Sequence, residues 1–587
     1  MDVFTNPDLF SVIREYTHLQ SLCDTCNILV TFKKYLYWEL NRTYSLMYYN
    51  DISFRNIVLN KILNPNKQLR LNLMNSTVTD VSDLGNVHIL DLEGCKQIKD
   101  VSALGNLHKL YLEGCKQIID VSALGNVRIL DLSKCEKIKD VSALGNVHKL
   151  YLQNCVNITD VSALGNVHIL DLRGCVNITD VSALGNVHIL DLRGCNITDV
   201  SALGNVHTLN LNDCKKIRDV SALGKVQHLH LFNTNISDVS ALGNVRSLNL
   251  GGCHNITGVS ALGNVYSLDL TYCSRIRYVN ALGNVHTLKL HGCNITDVSA
   301  LGNVHSLDLS LCKNIKDVSA LKSVHTLILQ GCNISDVSEL GNVYGLKLCD
   351  CVNITDVSML GNVYSLNLCG CNKITDVSAL GNVHSLDLSN CDKITDFSAL
   401  RNVHTLQLNY CKITDVGALS NVHTLHLIDC QQITDVSALG NVHKLELCFC
   451  KITDVSMLGN VHTLNLYGCV NITDVSALGN VYNLNLHGCK MKDVSMLGNV
   501  HTLTLSSCDN ITDVSALGNV DTLDLSSCDN IMDVSALGNV HTLILSFCNI
   551  TDVSALGNVH TLDLTCCDNV KDLSALKNVP ELTLPYS

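Results

Sequence analysis

The chain has 587 residues and a formal net charge of −13, from 41 basic and 54 acidic residues. No basic run offsets this acidic excess, so nucleic-acid binding has no electrostatic support. No window approaches the roughly 18 uninterrupted apolar residues of a membrane span, and residues 1–4 form neither a basic leader nor an apolar signal segment. The composition therefore predicts a soluble, unsecreted protein of the cytoplasm or nucleus.

The first 68 residues differ in composition from the rest of the chain. They contain Trp38, the only tryptophan, and 11 of the 26 aromatic residues lie in the first 60 positions. Apolar residues recur at helical spacing in three short stretches, the last of which contains Tyr37 and Leu40. We therefore expect three short amphipathic helices, followed by a further helix over Ser53 to Leu63.

Three segments of this head resemble an F-box. They are Asn6-Pro7-Asp8-Leu9-Phe10-Ser11-Val12-Ile13, Leu19-Gln20-Ser21-Leu22-Cys23-Asp24-Thr25-Cys26 and Tyr37-Trp38-Glu39-Leu40. The first is similar to the opening helix of that family, the second to its L-x-x-L-C core and the third to its closing tryptophan. Two features depart from the pattern, since Asn6 replaces a leucine and Arg14-Glu15 replace a bulky pair.

The F-box resemblance implies that the head binds a Skp-type adaptor of a cullin-RING ubiquitin ligase. The side chains that it assigns to the adaptor are Pro7, Leu9, Phe10, Ile13, Leu22 and Trp38. The alternative is a helical cap that shields the first coil of the array that follows. Under either hypothesis the expected boundaries are an F-box-like helical domain over residues 1–50 and a helical N-cap or linker over 51–70.

From about residue 70 to the end, one unit of 19 or 20 residues repeats without a break. Its phase is set by a cysteine that recurs from Cys95 to Cys567, with Ser76 at the same position in the first of 26 copies. Self-similarity at this period indicates a solenoid, in which each coil packs only against its neighbours. We therefore predict one repeat domain over residues 71–587, with about 26 repeats.

The coil that starts at Leu170 shows what each position should do. Alternating apolar residues predict a short strand with Leu170 and Leu172 turned inward, stacked in parallel on the next strand about 4.8 Å away. Asp180 is placed to cap a short turn over residues 181–184. Gly185-Asn186 is expected to supply a left-handed turn back into the core.

This consensus resembles the leucine-rich repeat. The segment Cys155-Val156-Asn157-Ile158-Thr159-Asp160 looks like the cysteine-containing subclass found in F-box leucine-rich repeat proteins. The coil here is shorter, and most of the convex helix of that subclass is lost. The segment Asp-Val-Ser-Ala-Leu, which takes its place, looks like the internalin-type coil. The resemblance implies an α/β solenoid: a right-handed superhelix with a parallel β-sheet on the concave face, short turns on the convex face and a small helical N-terminal head. The near-identity of many coils suggests recent duplication, as in proteins of large DNA viruses, so a viral origin is a further hypothesis.

The cysteines form a column, since 24 of the 30 occupy the phase position. We expect free thiols in a reducing compartment, donating to loop carbonyls, and no zinc site, because zinc ligands come in clustered pairs. Cys349 and Cys369 fall two places before the phase position and should face outward. Seventeen histidines form a second column from His88 to His560, for which we weigh a structural role against a pH response.

No nucleophile-base-acid set and no phosphate-binding loop stand out from the repeats, so we expect neither an enzyme nor a cofactor. Variation concentrates between the strand leucines and just after them, at positions expected to project from the concave face. The candidate partner-binding residues there are Asp171, Arg173, Asp191, Arg193, Phe232, Tyr272, His291, Tyr410, Phe449, Tyr467, His487 and Phe547. Exposed aromatic and arginine side chains of this kind anchor protein interfaces.

The sequence thus favours a substrate-recognition subunit of a cullin-RING (SCF-type) ubiquitin ligase that holds a protein target on its concave face and performs no chemistry. The alternative is a leucine-rich repeat scaffold whose head is only a cap. A redox or metal protein is a third hypothesis, which would require bound metal or paired thiols. Neither of the favoured hypotheses involves nucleic acid or a membrane.

Overall fold

The computed structural model describes residues 37–59 and 68–584, and it divides into two compact units, Met1–Ile295 and Thr296–Ser587. Five of the predicted adaptor-binding residues lie outside the described residues: Pro7, Leu9, Phe10, Ile13 and Leu22. Trp38 is described only by its backbone. Among the described residues, no helix combines the length and the apolar character needed to cross a membrane.

The described part of the head starts with strand β1, Tyr37–Leu40. Helix α1, Arg42–Asn50, and helix α2, Ile52–Ile57, follow it. The predicted helix containing Tyr37 and Leu40 is therefore wrong. The segment pairs in parallel with β2, Gln68–Asn72, and this pairing satisfies backbone groups that β2 would otherwise leave exposed at a sheet edge. Helix α2 begins close to the expected Ser53, and residues 60–67, where that helix was predicted to continue, lie outside the described residues.

Polar contacts tie the head to the first coils. The Ser45 hydroxyl on α1 donates to the Leu40 carbonyl oxygen at 3.0 Å and accepts from the Asn72 amide at 2.9 Å. Arg55 on α2 forms an ion pair with Asp83 at 2.5 Å. Residues 37–59 thus close the N-terminal end of the repeat array.

Unit 1 continues as a parallel sheet in which each strand pairs with its sequence neighbour. Each strand is followed by a 3-10 turn of three or five residues, such as Ser182–Asn186. After β2 the strands are β3 Ile89–Asp91, β4 Lys109–Tyr111, β5 Ile129–Asp131, β6 Lys149–Tyr151, β7 Ile169–Asp171, β8 Ile189–Asp191, β9 Thr208–Asn210, β10 His228–His230, β11 Ser247–Asn249, β12 Ser267–Asp269 and β13 Thr287–Lys289.

Unit 2 repeats the same pattern of parallel strands and 3-10 turns. The predicted solenoid of short parallel strands and short turns is therefore confirmed. The strands are β14 Ser306–Asp308, β15 Thr326–Ile328, β16 Gly345–Lys347, β17 Ser365–Asn367, β18 Ser385–Asp387, β19 Thr405–Gln407, β20 Thr424–His426, β21 Lys444–Glu446, β22 Thr463–Asn465, β23 Asn483–Asn485, β24 Thr502–Thr504, β25 Thr522–Asp524, β26 Thr542–Ile544, β27 Thr561–Asp563 and β28 Glu581–Thr583.

The core of each coil follows the predicted pattern. Leu170 and Leu172 are at most 1% exposed, and Leu170 pairs with Leu190 of the next strand. The Asp180 carboxylate accepts a hydrogen bond from the Ser182 amide at 2.9 Å, which confirms its role at the start of the turn. Within each unit, successive coils thus contribute inward-facing apolar side chains at the same positions to a shared core.

Gly185, which represents a glycine that recurs in most coils, has a different role from the one predicted. Gly185 lies within the 3-10 turn without a positive φ, and a Cβ at this position would stand 2.4 Å from the carbonyl oxygen of Ala202. The left-handed residue of this coil is Gly174, with φ of 70°. Gly185 is therefore needed for the close approach of successive turns, not for a left-handed conformation.

The difference between 19-residue and 20-residue coils is absorbed outside the sheet. The longer spacing has two residues between Cys175 and Ile178, whereas the shorter has one between Cys195 and Ile197. Strand pairing keeps the same register across both spacings, with Leu190 opposite both Leu170 and Leu209. Changes in coil length therefore leave the order of side chains on the sheet unchanged.

Candidate functional site

The backbone turns left-handed at one position in each of the 26 described coils, immediately before the phase residue. The φ values there run from 54° to 73°, with glycine in ten coils and other residues in sixteen. We call this line of left-handed residues, together with the residue that precedes each one, the loop edge. The term sheet face denotes the outward side of the strands themselves.

All six predicted aromatic residues lie on the loop edge: Phe232, Tyr272, Tyr410, Phe449, Tyr467 and Phe547. Four of them, Tyr272, Tyr410, Phe449 and Phe547, occupy the left-handed position itself, with φ values of 59° to 61°. They lie in the loop after the strand, because the strands of these coils have only three residues and end before the second leucine. The side chains of these four are 46% to 57% exposed.

An aromatic side chain is an unusual choice for a left-handed position. For residues with a Cβ this conformation costs about 1–2 kcal/mol, and ten coils avoid the cost with glycine. Outliers of this kind are commonly retained for what the side chain does. The aromatic residues of the loop edge are therefore the strongest candidates for a functional surface.

The three rings of Phe449, Tyr467 and His487 come from adjacent coils of unit 2 and touch in series. The rings of Phe449 and Tyr467 meet edge to face with centroids 4.8 Å apart, and those of Tyr467 and His487 stack at 4.5 Å. We call these three residues the aromatic patch. Tyr410 lies two coils before Phe449 and lines a cavity with it.

The rings of the aromatic patch are held in place at both ends. The Phe449 ring lies over Gly468, where an added Cβ would stand 2.6 Å from its Cδ1. At the other end, His487 Nδ1 lies 2.6 Å from the Ser506 hydroxyl. The patch is therefore ordered before any partner binds.

Unit 1 has a smaller aromatic pair and an isolated ring. Tyr272 and His291 meet edge to face at 4.9 Å, with His291 Nε2 3.0 Å from the Tyr272 hydroxyl. Phe232 is 39% exposed and lies by Gly251, where a Cβ would stand 2.9 Å from its ring. Within unit 2, Phe547 makes no ring contact with another aromatic residue of the described chain.

The four charged candidates of unit 1 pair with one another. Arg173 and Asp171 approach to 2.6 Å, and Arg193 and Asp191 to 2.8 Å. Asp171 is only 6% exposed, contrary to the expectation that it faces a partner, because the Arg173 guanidinium lies against it. The arginines are thus the accessible members of this group.

A charged group on the sheet face of unit 2 was missed from the sequence. Glu446 lies 2.9 Å from His426 Nδ1 and 3.1 Å from the Lys444 ammonium. The hydrogen bond from His426, reinforced by Lys444, lowers the pKa of Glu446 to about 2. The strand triplets T-L-H, residues 424–426, and K-L-E, residues 444–446, were the available signal, since they place His426 opposite Glu446 on neighbouring strands.

The histidine column forms a ladder of stacked rings, extended by tyrosines. In unit 2, contacts of 4.5 to 4.9 Å link His305, His325, Tyr344, Tyr364, His384, His404, His423, His443, His462, Tyr482 and His501. Burial, followed by the charges of His404 and His443, lowers the pKa of His423. Within this ladder, His423 therefore resists protonation.

The cysteine column is structural in its geometry. Each described cysteine is a free thiol, and the Cys175 Sγ donates to the Leu152 carbonyl oxygen at 3.1 Å, as predicted. Burial raises the pKa of Cys115 to about 12 and that of the less buried Cys349 to about 11. Across residues 37–59 and 68–584, no three His, Cys, Asp or Glu side chains converge as metal ligands would.

Comparisons with known proteins agree with this architecture. The profile described as Leucine Rich repeat matches residues 186–204 and 399–420, and no curated protein matches the sequence. The crystal structure of the TLR13–ssRNA13 complex is similar with a TM-score of 0.56 and 19% identity, covering 88% of this chain and 84% of that one. The InlJ functional domain from Listeria monocytogenes, which includes a cysteine ladder, gives a TM-score of 0.32 and 21% identity, with 56% and 70% covered.

Proposed function

We propose that this chain, whose fold is that of the leucine-rich repeat proteins, is a receptor that binds a protein partner along its loop edge and sheet face. The observation that carries the proposal is the aromatic patch, Phe449, Tyr467 and His487, which is ordered by contacts within the chain. Clustered aromatic side chains supply much of the binding energy at protein interfaces. Because the rings are already fixed, little conformational entropy is lost when a partner covers them.

A protein partner fits the charge of the chain better than a nucleic acid does. The TLR13 structure is a complex with ssRNA13, but the present chain has a net charge of −13. A phosphate backbone would be repelled by that excess. Unit 1 would contribute the arginines Arg173 and Arg193, the pair Tyr272 and His291, and Phe232 to the same function.

The receptor hypothesis is tested by removing the aromatic patch. The variant Phe449→Asn/Tyr467→Ser/His487→Ser keeps Asn at a left-handed position, as Asn390 does naturally with φ of 60°. Affinity purification from the source cells, quantified by mass spectrometry, should show loss of the partners captured by the wild-type chain. Phe547→Asn is the matched control, because it removes an isolated ring from the same position of another coil.

The outcome is read on both variants together. If the patch variant loses the captured partners and Phe547→Asn retains them, the result supports a partner site at the aromatic patch. Equal capture by the patch variant, the control and the wild type would contradict it. Circular dichroism melts of both variants confirm that the fold is kept.

The finer form of the proposal is a substrate-recognition subunit of a cullin-RING ubiquitin ligase. Its support is the F-box resemblance of residues 1–40, with Pro7, Leu9, Phe10, Ile13, Leu22 and Trp38 as the adaptor contacts. The double variant Leu9→Ala/Trp38→Ala should lose co-purification with a Skp-type adaptor while keeping the partners of the aromatic patch. Unchanged adaptor capture by this variant would contradict the ligase role.

The contacts of residues 37–59 favour a second candidate, a scaffold whose head serves as a cap. Strand β1 adds to the edge of β2, and Ser45 and Arg55 hold the two helices against the first coils. A chain lacking residues 1–36 separates the two candidates. The cap hypothesis predicts an unchanged set of captured proteins, whereas the ligase hypothesis predicts selective loss of adaptor and cullin.

A further inference from the structure

A cavity of about 540 Å³ opens at the loop edge of unit 2. Tyr410 and Phe449 form two of its sides, and Asp429 lies between them in the intervening coil. All three occupy the left-handed position, with φ values of 60°, 56° and 59° in chain order. Along three neighbouring coils, the cavity is therefore lined by an aromatic ring, then a carboxylate, then a second aromatic ring.

The spacing of the two rings suits a single inserted side chain. Successive coils are about 4.8 Å apart, so the backbones carrying Tyr410 and Phe449 are separated by about 10 Å. Both side chains remain about half exposed, at 52% and 46%. One elongated group can therefore enter between the rings and reach the coil of Asp429.

The floor of the cavity is fixed by Gln431. Its amide Nε2 donates to Asp429 Oδ1 at 2.5 Å and to the Phe449 carbonyl oxygen at 2.7 Å. This pair of bonds holds the carboxylate in the gap between the rings. Among the described residues, Asp429 takes part in no ion pair, so its negative charge is not neutralised by a neighbouring cation.

The Phe449 side of the cavity is equally well ordered. Its ring rests over Gly468 and meets the edge of Tyr467 at 4.8 Å. A side chain larger than glycine at 468 would displace it. The ring face is thus held in position without a ligand, as expected of a preorganised site.

We propose that this cavity binds a cationic side chain, lysine or arginine, presented by the protein partner. The faces of aromatic rings attract cations through their quadrupoles, and a fixed carboxylate adds charge attraction at the same point. Lys451 lies at the rim of the cavity and opposes such a guest, so its ammonium limits the affinity. The inference rests on the proposed receptor function and specifies the chemistry of the group recognised.

The test uses the full-length protein and three short peptides, Ac-Gly-Arg-Gly-NH2, its citrulline analogue and Ac-Gly-Glu-Gly-NH2. Citrulline matches arginine in shape but is neutral. Isothermal titration should give an arginine affinity at least about five-fold above that of citrulline, with the glutamate peptide weakest. Equal binding of arginine and citrulline, or preferential binding of glutamate, would overturn the proposal.

Variants locate the binding on the cavity. Asp429→Asn keeps the shape and the left-handed preference but removes the charge, so it should weaken arginine binding by about five-fold. Lys451→Ala should strengthen it, and Leu311→Asn, which removes an exposed side chain from the left-handed position of another coil of unit 2, should leave it unchanged. If Asp429→Asn and Phe449→Asn bind arginine as the wild type does, the cavity is not the site.

The two proposals fail in different ways. If Asp429→Asn retains every captured partner while the aromatic patch variant loses them, the receptor function stands and the cation-binding cavity is rejected. If the arginine peptide binds as predicted but no partner depends on the patch, the cavity stands and the receptor proposal is rejected at that surface.

Discussion

The thiol of Cys175 donates a hydrogen bond to the carbonyl oxygen of Leu152, 3.1 Å away in the preceding coil. The same bond recurs along the column, for example from Cys195 to Leu172 at 3.2 Å. Thr234 replaces the cysteine in one interior coil, and its hydroxyl bonds instead to Leu231 of its own coil at 2.8 Å. The cysteine therefore bonds to a carbonyl of the preceding coil, whereas the Thr234 hydroxyl lies 3.2 Å from Cys253 Sγ of the following coil.

Removing one thiol from the column should lower the free energy of unfolding. We expect Cys175→Ala to cost about 1–3 kcal/mol, because it removes one of the two hydrogen bonds to the Leu152 carbonyl, which also accepts from the Cys155 amide at 3.1 Å, and opens a small cavity. Urea unfolding followed by circular dichroism measures the change. Cys566→Ala, at an exposed position, is the control, and an equal loss in both variants would contradict the inter-coil role.

The buried thiols should be inert in the folded protein. Burial raises the pKa of Cys115 to about 12, so its thiolate is scarce at pH 8. A thiol reagent should react quickly with the exposed Cys566 and reach the column only after unfolding. Cys566→Ser should therefore remove one fast-reacting equivalent, and rapid labelling of the column in native protein would count against a closed core.

The histidine ladder should make stability depend on pH near 6. The pKa of His423 is lowered by its burial and by His404 and His443, so the unfolded chain binds protons more tightly than the folded chain does. The stability that His423 contributes is fully present above the unfolded pKa of about 6.5 and is lost as the pH falls through that value towards the lower folded pKa. The melting temperature should therefore drop between pH 7.5 and pH 5.5.

A substitution drawn from the chain itself isolates this effect. Tyr344 and Tyr364 occupy the same column and stack at 4.7 Å. The triple variant His404→Tyr/His423→Tyr/His443→Tyr should keep the stacking and show a smaller drop in melting temperature on acidification. An unchanged pH dependence would assign the acid sensitivity to other groups.

Gly468 should be needed for the aromatic patch, whereas Gly488 should not. Both have φ near 70°, so an alanine at either position costs about 1–2 kcal/mol in backbone strain. Only at 468 would the new Cβ meet the Phe449 ring, at 2.6 Å, while nothing lies within 4 Å at 488. Gly468→Ala should thus melt lower than Gly488→Ala and lose the partners of the patch, and identical behaviour of the two variants would exclude the contact.

The attachment of the head should depend on Ser45. Its hydroxyl bridges Leu40 and Asn72, so Ser45→Ala should lower the free energy of local opening between the head and strand β2 by about 1–2 kcal/mol. Hydrogen exchange of the Asn72 amide should accelerate, while the Cys175 amide in a distant coil keeps its wild-type rate. Equal protection of the Asn72 amide from hydrogen exchange in both proteins would show that other contacts hold the head against strand β2.

Patterns within one coil could be predicted from the sequence, whereas contacts between segments could not. The burial of Leu170 and Leu172 follows from alternation, and the bond from Ser182 to Asp180 follows from residue type and position. The strand at Tyr37–Leu40 was missed because four residues do not separate helix from strand, and its partner β2 lies beyond the next helices. Gly185 was misjudged because its constraint is the neighbouring carbonyl of Ala202.

The candidate surface was predicted in composition but not in place. Tyr410 and Phe449 were identified from variation at an otherwise repeated position. Their location on the loop edge depends on the strands ending after three residues, which the alternating pattern does not fix. Asp429 and Gln431 were missed because nothing in the sequence marks a cavity between coils.

The constant register across coils of unequal length gives the array a genetic property. Leu190 aligns with Leu170 and Leu209 alike, so exchange between any two near-identical repeats yields another chain whose strands still pair. Each gain or loss of a repeat adds or removes one strand, a step of about 4.8 Å along the sheet. Unequal crossing-over can thus change the number of coils between two loop-edge residues in steps of one strand without inventing a new sequence.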